Sequence, residues 1–210
     1  MRVLATLAAL ALAGTALAST PIPAVPKGVY TLDKPHTSLI FRVNHLGFST
    51  FTGRFTRLDA RLETDPANFS GSKLTVTIDP TSVATDNAPD GFLEEIAGKG
   101  WFDAQEFPQI SYRSTKVEVV GANKLRIDGE LTFHGVTKPV VLEAKYNGGY
   151  AGHPMDPHAR IGFSATGKFK RSDFGMTIGI PGPTQPMGIG DEVQIVLETE
   201  LSGPALAKQN

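Results

Sequence analysis

The sequence predicts an all-β protein, an antiparallel barrel of about eight strands with one short helical insert. Three observations lead there. Apolar residues recur at every second position in one run after another, the spacing that gives a strand one dry face and one wet face. Turn-forming residues part these runs at short intervals, and 22 Gly with 15 Pro in 210 residues suits strands and turns better than a helical bundle. Only one stretch carries helical spacing.

Taken in order, the chain opens with Met1 and Arg2, followed by an uncharged apolar run from Val3 to Ala18 that ends in Ala16-Leu17-Ala18. A cationic start, an apolar centre and a small-x-small end read as an export signal cleaved after Ala18. The run has 16 residues, short of the ~20 needed to span a bilayer, so no stable membrane span is expected. Residues 19–27 form a Pro-rich leader, residues 28–202 a single domain, and residues 203–210 a tail. An export signal on a chain with no cysteine points to a bacterial periplasm.

Within the domain, Leu39, Phe41 and Val43 alternate with Arg42 and Asn44, and Leu74, Val76 and Ile78 with Thr75 and Thr77. Longer strands are expected from Thr56 to Thr64 and from Ile110 to Val120. Leu125, Ile127, Leu131 and Phe133 share a face, with Gly129 as a bulge or bend. Val140, Leu142, Ala144 and Tyr146 form the next dry face, then Ile161, Phe163, Ala165 and Phe169, then Val193, Ile195, Leu197 and Leu201. The helix is placed from about Pro89 to Ala97, capped by Asp90 and stopped by Gly98. Such strands close into a barrel or stack as two sheets. A barrel leaves no exposed edges, and the strands are long enough for its tilt. The polar loops and the lack of aromatic girdles argue against an outer-membrane barrel.

Composition excludes several functions. With 20 Lys+Arg against 21 Asp+Glu, nothing favours nucleic acid as a partner. Without cysteine there is no thiolate chemistry and no disulfide framework. No nucleophile elbow, zinc-protease helix, phosphate loop, dinucleotide fingerprint or calcium loop occurs. The five histidines, His36, His45, His134, His153 and His158, lack metal-ligand spacing. Glu94-Glu95 and Asp191-Glu192 are adjacent pairs that cannot share a proton across a site. No metal, catalytic set or cofactor is expected, although an isoprenoid or quinone-like lipid could be bound.

Aromatic and flexible apolar residues are in excess: Phe48 and Phe51 after the first strand, Phe92, Trp101, Phe102 and Phe107 around the insert, and Phe174, Met176, Ile178 and Met187 in a glycine-rich stretch. A wall of Phe and Met makes few hydrogen-bonding demands and suits a long hydrocarbon chain.

Six strings in order resemble the YceI-like family: Tyr30-Thr-Leu-Asp-Lys-Pro-His-Thr-Ser-Leu-Ile-Phe41, Val43-Asn-His-Leu-Gly-Phe48, Gly53-Arg-Phe55, Trp101-Phe-Asp-Ala-Gln-Glu-Phe-Pro-Gln-Ile110, Gly129-Glu-Leu-Thr-Phe-His-Gly-Val-Thr-Lys-Pro-Val140 and Arg171-Ser-Asp-Phe-Gly175. The resemblance implies a lipocalin-like β-barrel, exported to the periplasm, holding a polyisoprenoid or other long-chain amphiphile in its lumen without catalysis. Two stretches depart from the family's pattern, Gly91 to Asp103 and the glycine-rich run to Gly190, so ligand identity does not carry over. On this reading Leu39, Phe41, Val43, Phe133, Phe163 and Phe169 set the depth of the lumen. Arg42, His45 and Arg171 are the candidates to meet a phosphate or quinone oxygen at its mouth. The rival readings are an enzyme acting on a lipid-like substrate, with His45 or His134 as base, and a quinone-holding partner of a membrane redox system. A homodimer through an edge strand is also open.

Overall fold

In a computed structural model, residues 24–206 are described; the expected export signal of residues 1–18, most of the leader and the end of the tail lie outside them. The chain runs β1 (Gly28–His45), β2 (Ser49–Phe55), β3 (Leu58–Thr64), β4 (Lys73–Ile78), β5 (Val83–Ala84), α1 (Phe92–Ala97), β6 (Ile110–Val119), β7 (Lys124–Phe133), β8 (Val136–Tyr150), β9 (His158–Lys170) and β10 (Ile189–Ala205). Eight of the ten strands form a closed antiparallel ring in the order β10-β9-β8-β7-β6-β4-β3-β1, with β1 pairing back onto β10. Closure satisfies the backbone groups that an open sheet would leave at its edges. The barrel expected from strand length and edge arithmetic is therefore the observed architecture.

The period-two reading places the inner face correctly, because a barrel strand must alternate between core and solvent. Leu125, Ile127, Leu131 and Phe133 of β7 are all buried, as are Val140, Leu142 and Ala144 of β8 and Ile161, Phe163 and Ala165 of β9.

Three local features differ from the sequence expectation and a fourth adds to it. The run 56–64 begins as a strand only at Leu58, because the N–H groups of Thr56 and Arg57 turn aside to Ser82, at 3.1 Å to its carbonyl and 3.0 Å to its hydroxyl. That break divides a bent strand into β2, beside the later half of β1, and β3, beside its first residues. Gly129 is not the bulge: it stays in register, while β6 carries the extra residue between Ser114 and Lys116. Glycine is required there because the Tyr112 ring lies flat across it, with the hydroxyl 2.4 Å from where a Cβ would sit. The helix begins at Phe92 with Gly91, not Asp90, as N-cap, and no side chain caps it. Finally, β1 and β10 slip between Asp33 and Ser38, where β1 contains Pro35, which has no N–H to offer the ladder.

The two ends of the barrel differ in their connections. At one end lie the β1–β2 turn, the insert around α1, the β7–β8 turn and residues 171–188. At the other lie the β3–β4, β6–β7 and β8–β9 connections. The second end is filled by aromatic side chains. Tyr30 is fully buried, its hydroxyl donating to the Pro26 carbonyl at 2.5 Å, and burial pushes its pKa up to about 12. Beside it Phe69, Tyr146 and Phe163 pack ring against ring.

Candidate ligand-binding cavity

The first end leads into a cavity of about 340 Å³ whose wall is almost wholly apolar. The volume lies near the lower bound of ligand sites, which run from roughly 300 to 1,000 Å³. Its wall is built strand by strand from inward positions: Leu39, Phe41 and Val43 of β1, Phe51 and Phe55 of β2, Val193, Ile195 and Leu197 of β10, and Phe133, Leu142, Ala165 and Phe169 of β7 to β9. The insert adds Phe92, Ile96, Trp101 and Phe102, which wall the cavity from the open end.

An arc of rings runs around this wall. Phe41 lies 5.4 Å from Phe55 and 6.1 Å from Phe102, and Phe102 lies 5.6 Å from Phe133. Edge-to-face and tilted contacts of this kind add to the stability of the apolar wall itself. Phe41 owes its place to Gly53, its cross-strand partner; a Cβ on that glycine would meet the Phe41 ring at 2.3 Å.

Among the described lining residues the side chains with polar groups are His45, Trp101, Tyr112 and Arg171. The Tyr112 hydroxyl lies 3.1 Å from the carbonyls of both Ile127 and Val140, and burial, with a smaller contribution from Asp128, raises its pKa. Arg171 is 3% exposed, and its guanidinium donates to three carbonyls: Nε to Gly190 at 2.9 Å, Nη1 to Met176 at 2.9 Å and Nη2 to Ile189 at 2.8 Å. It sits 5.6 Å from the centre of the Trp101 ring. Burial lowers its pKa and Asp191 partly offsets this. Asp191 is itself engaged, accepting from the Ser172 backbone N–H at 2.9 Å and hydroxyl at 2.8 Å. Arg171 is thus a buried cation held by backbone dipoles, and it ties the glycine-rich loop to the barrel rim.

Of the residues singled out from sequence, Leu39, Phe41, Val43, Phe51, Phe92, Trp101, Phe102, Phe133, Phe169, Met176, His45 and Arg171 come together around the cavity. Seven do not. Phe48, Ile178 and Met187 point into solvent, because all three sit on connections beyond the last strand pairing. Phe107 packs on the His134 ring at 4.8 Å, outside the wall. Phe163 belongs to the plug at the far end, beside Tyr146 and Phe69. Phe174 is buried behind Phe133 and Phe169 rather than on the cavity surface. Arg42 is exposed, since strand parity turns it outward between the inward Phe41 and Val43. Nor is His134 a base in the lumen: its Nδ1 lies 3.1 Å from the Phe174 carbonyl.

Several lining residues were not singled out, among them Phe55, Tyr112 and Ile96. Phe55 stands four residues from Phe51 and so shares its face, and Tyr112 stands two from Ile110 within an expected strand; alternation would have found both. Ile96 was placed only on the apolar face of the helix.

A second cluster lies on the outer surface at the β9–β10–β1 seam. The ligand atoms of Asp33, His36 and Glu200 lie within 4.8 Å of one another. Arg160 already supplies the positive charge there: it donates to Asp33, lies 3.7 Å from Glu200, and donates to Asp156 at 2.6 Å. This cluster is a charged staple across the closing seam.

Residues 30–201 match the model of the YceI-like domain. A UPF0312 protein of Vibrio cholerae is 34% identical over 165 residues, covering 79% of this chain and 81% of the relative. Among solved structures, the YCEI protein of Campylobacter jejuni superposes with a TM-score of 0.64 at 33% identity, covering 83% of this chain and 98% of that one. A polyisoprenoid binding domain from Saccharophagus degradans, implicated in plant cell wall breakdown, shares the fold at a TM-score of 0.58 and 15% identity, covering 83% of this chain and 98% of its own. With the barrel, its apolar cavity and a family match spanning nearly all the described residues, the chain belongs to the YceI-like family.

Proposed function

We propose that this protein binds a long-chain isoprenoid or comparable amphiphilic lipid without converting it. The tail lies in the hollow half of the barrel and the polar head at the mouth beside His45. One observation carries the reading: a cavity in the barrel in which nearly every lining side chain is apolar. Such a wall offers a hydrocarbon chain contact without leaving a polar group unpaired. The polyisoprenoid-binding domain of the same fold supports this ligand class.

Burial contributes ~0.8 kcal/mol per CH₂, so a five-carbon isoprene unit adds about 3 kcal/mol before ordering costs. A few units suffice for tight binding. Two of the polar side chains on the wall, Tyr112 and Arg171, already bond to backbone carbonyls. Neither is a free acid or base, which favours sequestration over catalysis. Arg171 acts at the head through its field, and His45 is the donor open to it. Residues 1–18 support export to the periplasm, where a water-insoluble lipid needs a carrier or a store.

Titration with a series of polyprenols of increasing length tests the proposal. The expected result is affinity that climbs with each isoprene unit until the hollow is full and then levels off, with a negative heat-capacity change. Affinity independent of length, or recovery of a chemically altered polyprenol, contradicts it.

A further inference from the structure

We propose that one lip of the cavity mouth docks on a lipid bilayer, with Phe48, Ile178 and Met187 entering the interface. This rests on the lipid-binding reading above and adds the surface from which the cargo is taken. Phe48 is 78% exposed, Met187 52% and Ile178 51%, and all three sit on connections at the open end. Two connections carry them, the β1–β2 turn and the loop before β10, and the Leu46 N–H joins these by donating to the Gly188 carbonyl at 2.8 Å. Ile178 reaches towards Gly100, next to Trp101 of the cavity wall.

The lip carries no charge. Residues 46–53 and 174–190 contain no Asp, Glu, Lys, Arg or His. A charged side chain resists entry into an apolar phase, whereas scattered Phe, Ile and Met enter it favourably. At the far end exposed apolar residues also occur, but among charges: Val119 and Val120 between Glu118 and Lys124, and Met155 between His153 and Asp156. The insert across the mouth differs again, holding Asp86, Asp90, Glu94, Glu95, Asp103 and Glu106 against Lys99. That side stays hydrated and is repelled by anionic headgroups. The complementary surface is therefore the uncharged apolar layer of a bilayer, with no call for anionic lipid, and the cavity opens directly behind the inserted lip.

Vesicles of phosphatidylcholine brominated along the acyl chains test this, because the protein's one tryptophan, Trp101, stands at the mouth. The wild-type protein should float with the vesicles and its Trp101 fluorescence should be quenched. A variant with Phe48→Ser, Ile178→Ser and Met187→Ser should bind the vesicles at least about tenfold more weakly. Both proteins should bind a detergent-dispersed polyprenol equally, since none of the three side chains lines the cavity. Equal quenching of the variant, quenching only when phosphatidylglycerol is added, or none at all would overturn the docking proposal; the last would leave the lip to a protein partner. Failure of both proteins to bind polyprenol from detergent would instead overturn the lipid-binding reading beneath it.

Discussion

At the far end of the barrel Phe69, Tyr146 and Phe163 meet with ring centroids 4.9 to 5.7 Å apart, beside the fully buried Tyr30. In the mouthward half Phe41, Phe102, Phe133 and Phe169 surround about 340 Å³ of open space. Both halves draw on inward positions of the same strands and on the same residue types. What differs is the contribution of the connections. The β3–β4 connection sends Phe69 between the walls and fills them, whereas the insert sends Phe92, Trp101 and Phe102 against the mouth and encloses without filling. Strand alternation makes an apolar interior; loops decide whether it is a core or a site.

The sharpest way to break this comparison is to delete the same ring at both ends. Phe163→Ala, in the packed end, should cost about 3 to 5 kcal/mol of unfolding free energy, because its neighbours cannot collapse onto the gap. Phe169→Ala, on the hollow, should cost clearly less, since that ring already faces open space on one side. Urea unfolding of the two variants measures the difference, and equal losses would mean that the hollow is as well packed as the plug.

Next in size is the rim. Arg171→Met removes a guanidinium that serves three carbonyls and should destabilise by about 2 to 4 kcal/mol, less than the sum of its bonds because the loop can relax. Arg171→Lys, which cannot reach all three, should recover only part. Full recovery by lysine in thermal melts would show that charge alone, rather than the fork of donors, holds the loop.

Filling the hollow sharpens the comparison from the other side. Ala165→Phe should lower polyprenol affinity by about tenfold or more while costing at most about 1 to 3 kcal/mol of stability from overpacking. Polyprenol titration and urea unfolding of the same variant read the two effects separately. The same substitution would be ruinous in the packed end, where no space receives the ring.

The smallest effect lies at the charged seam. The Tyr150 hydroxyl and Arg160 hold the Asp156 carboxyl down at about 2. Against an unfolded value near ~3.9, this contribution is present above about pH 4 and is lost as the pH falls through the folded value. Asp33 behaves alike: burial raises its pKa, but hydrogen bonds from His36 and Arg160 outweigh that and lower it. His36, raised by Asp33, works in the opposite sense, contributing below its unfolded pKa and fading as the pH rises through its folded one. Asp156→Asn should therefore flatten the acid limb of a melting-temperature profile. The seam lies on the outer surface, where solvent screens its charges, so the shift should be modest.

Much of this could be read from the sequence. Alternation located the inner faces of β1, β4 and β7 to β10, because a barrel core leaves no freedom in strand parity. The same parity sets Arg42 outward, away from any headgroup. The plug was not legible: Phe69 sits in Pro66-Ala67-Asn68-Phe69-Ser70, a turn without periodicity, and only the closed barrel brings it against Phe163 and Tyr146. Nor was the role of Arg171. A cation beside a loop reads as a solvated charge or a ligand contact, and nothing local announces that three carbonyls from 5 to 19 residues away will surround it. Side chains at loop tips, Phe48 and Met187 among them, escape alternation altogether.

The central claim is that the hollow half of the barrel holds a guest. Native mass spectrometry of the protein recovered gently from its own host, followed by extraction of whatever it carries, tests this most directly. The account predicts one intact long-chain lipid per barrel, absent from Ala165→Phe prepared in the same way. Wild-type protein that comes out empty and binds no polyprenol when offered it, or a lipid that stays bound to Ala165→Phe in full stoichiometry, would contradict it.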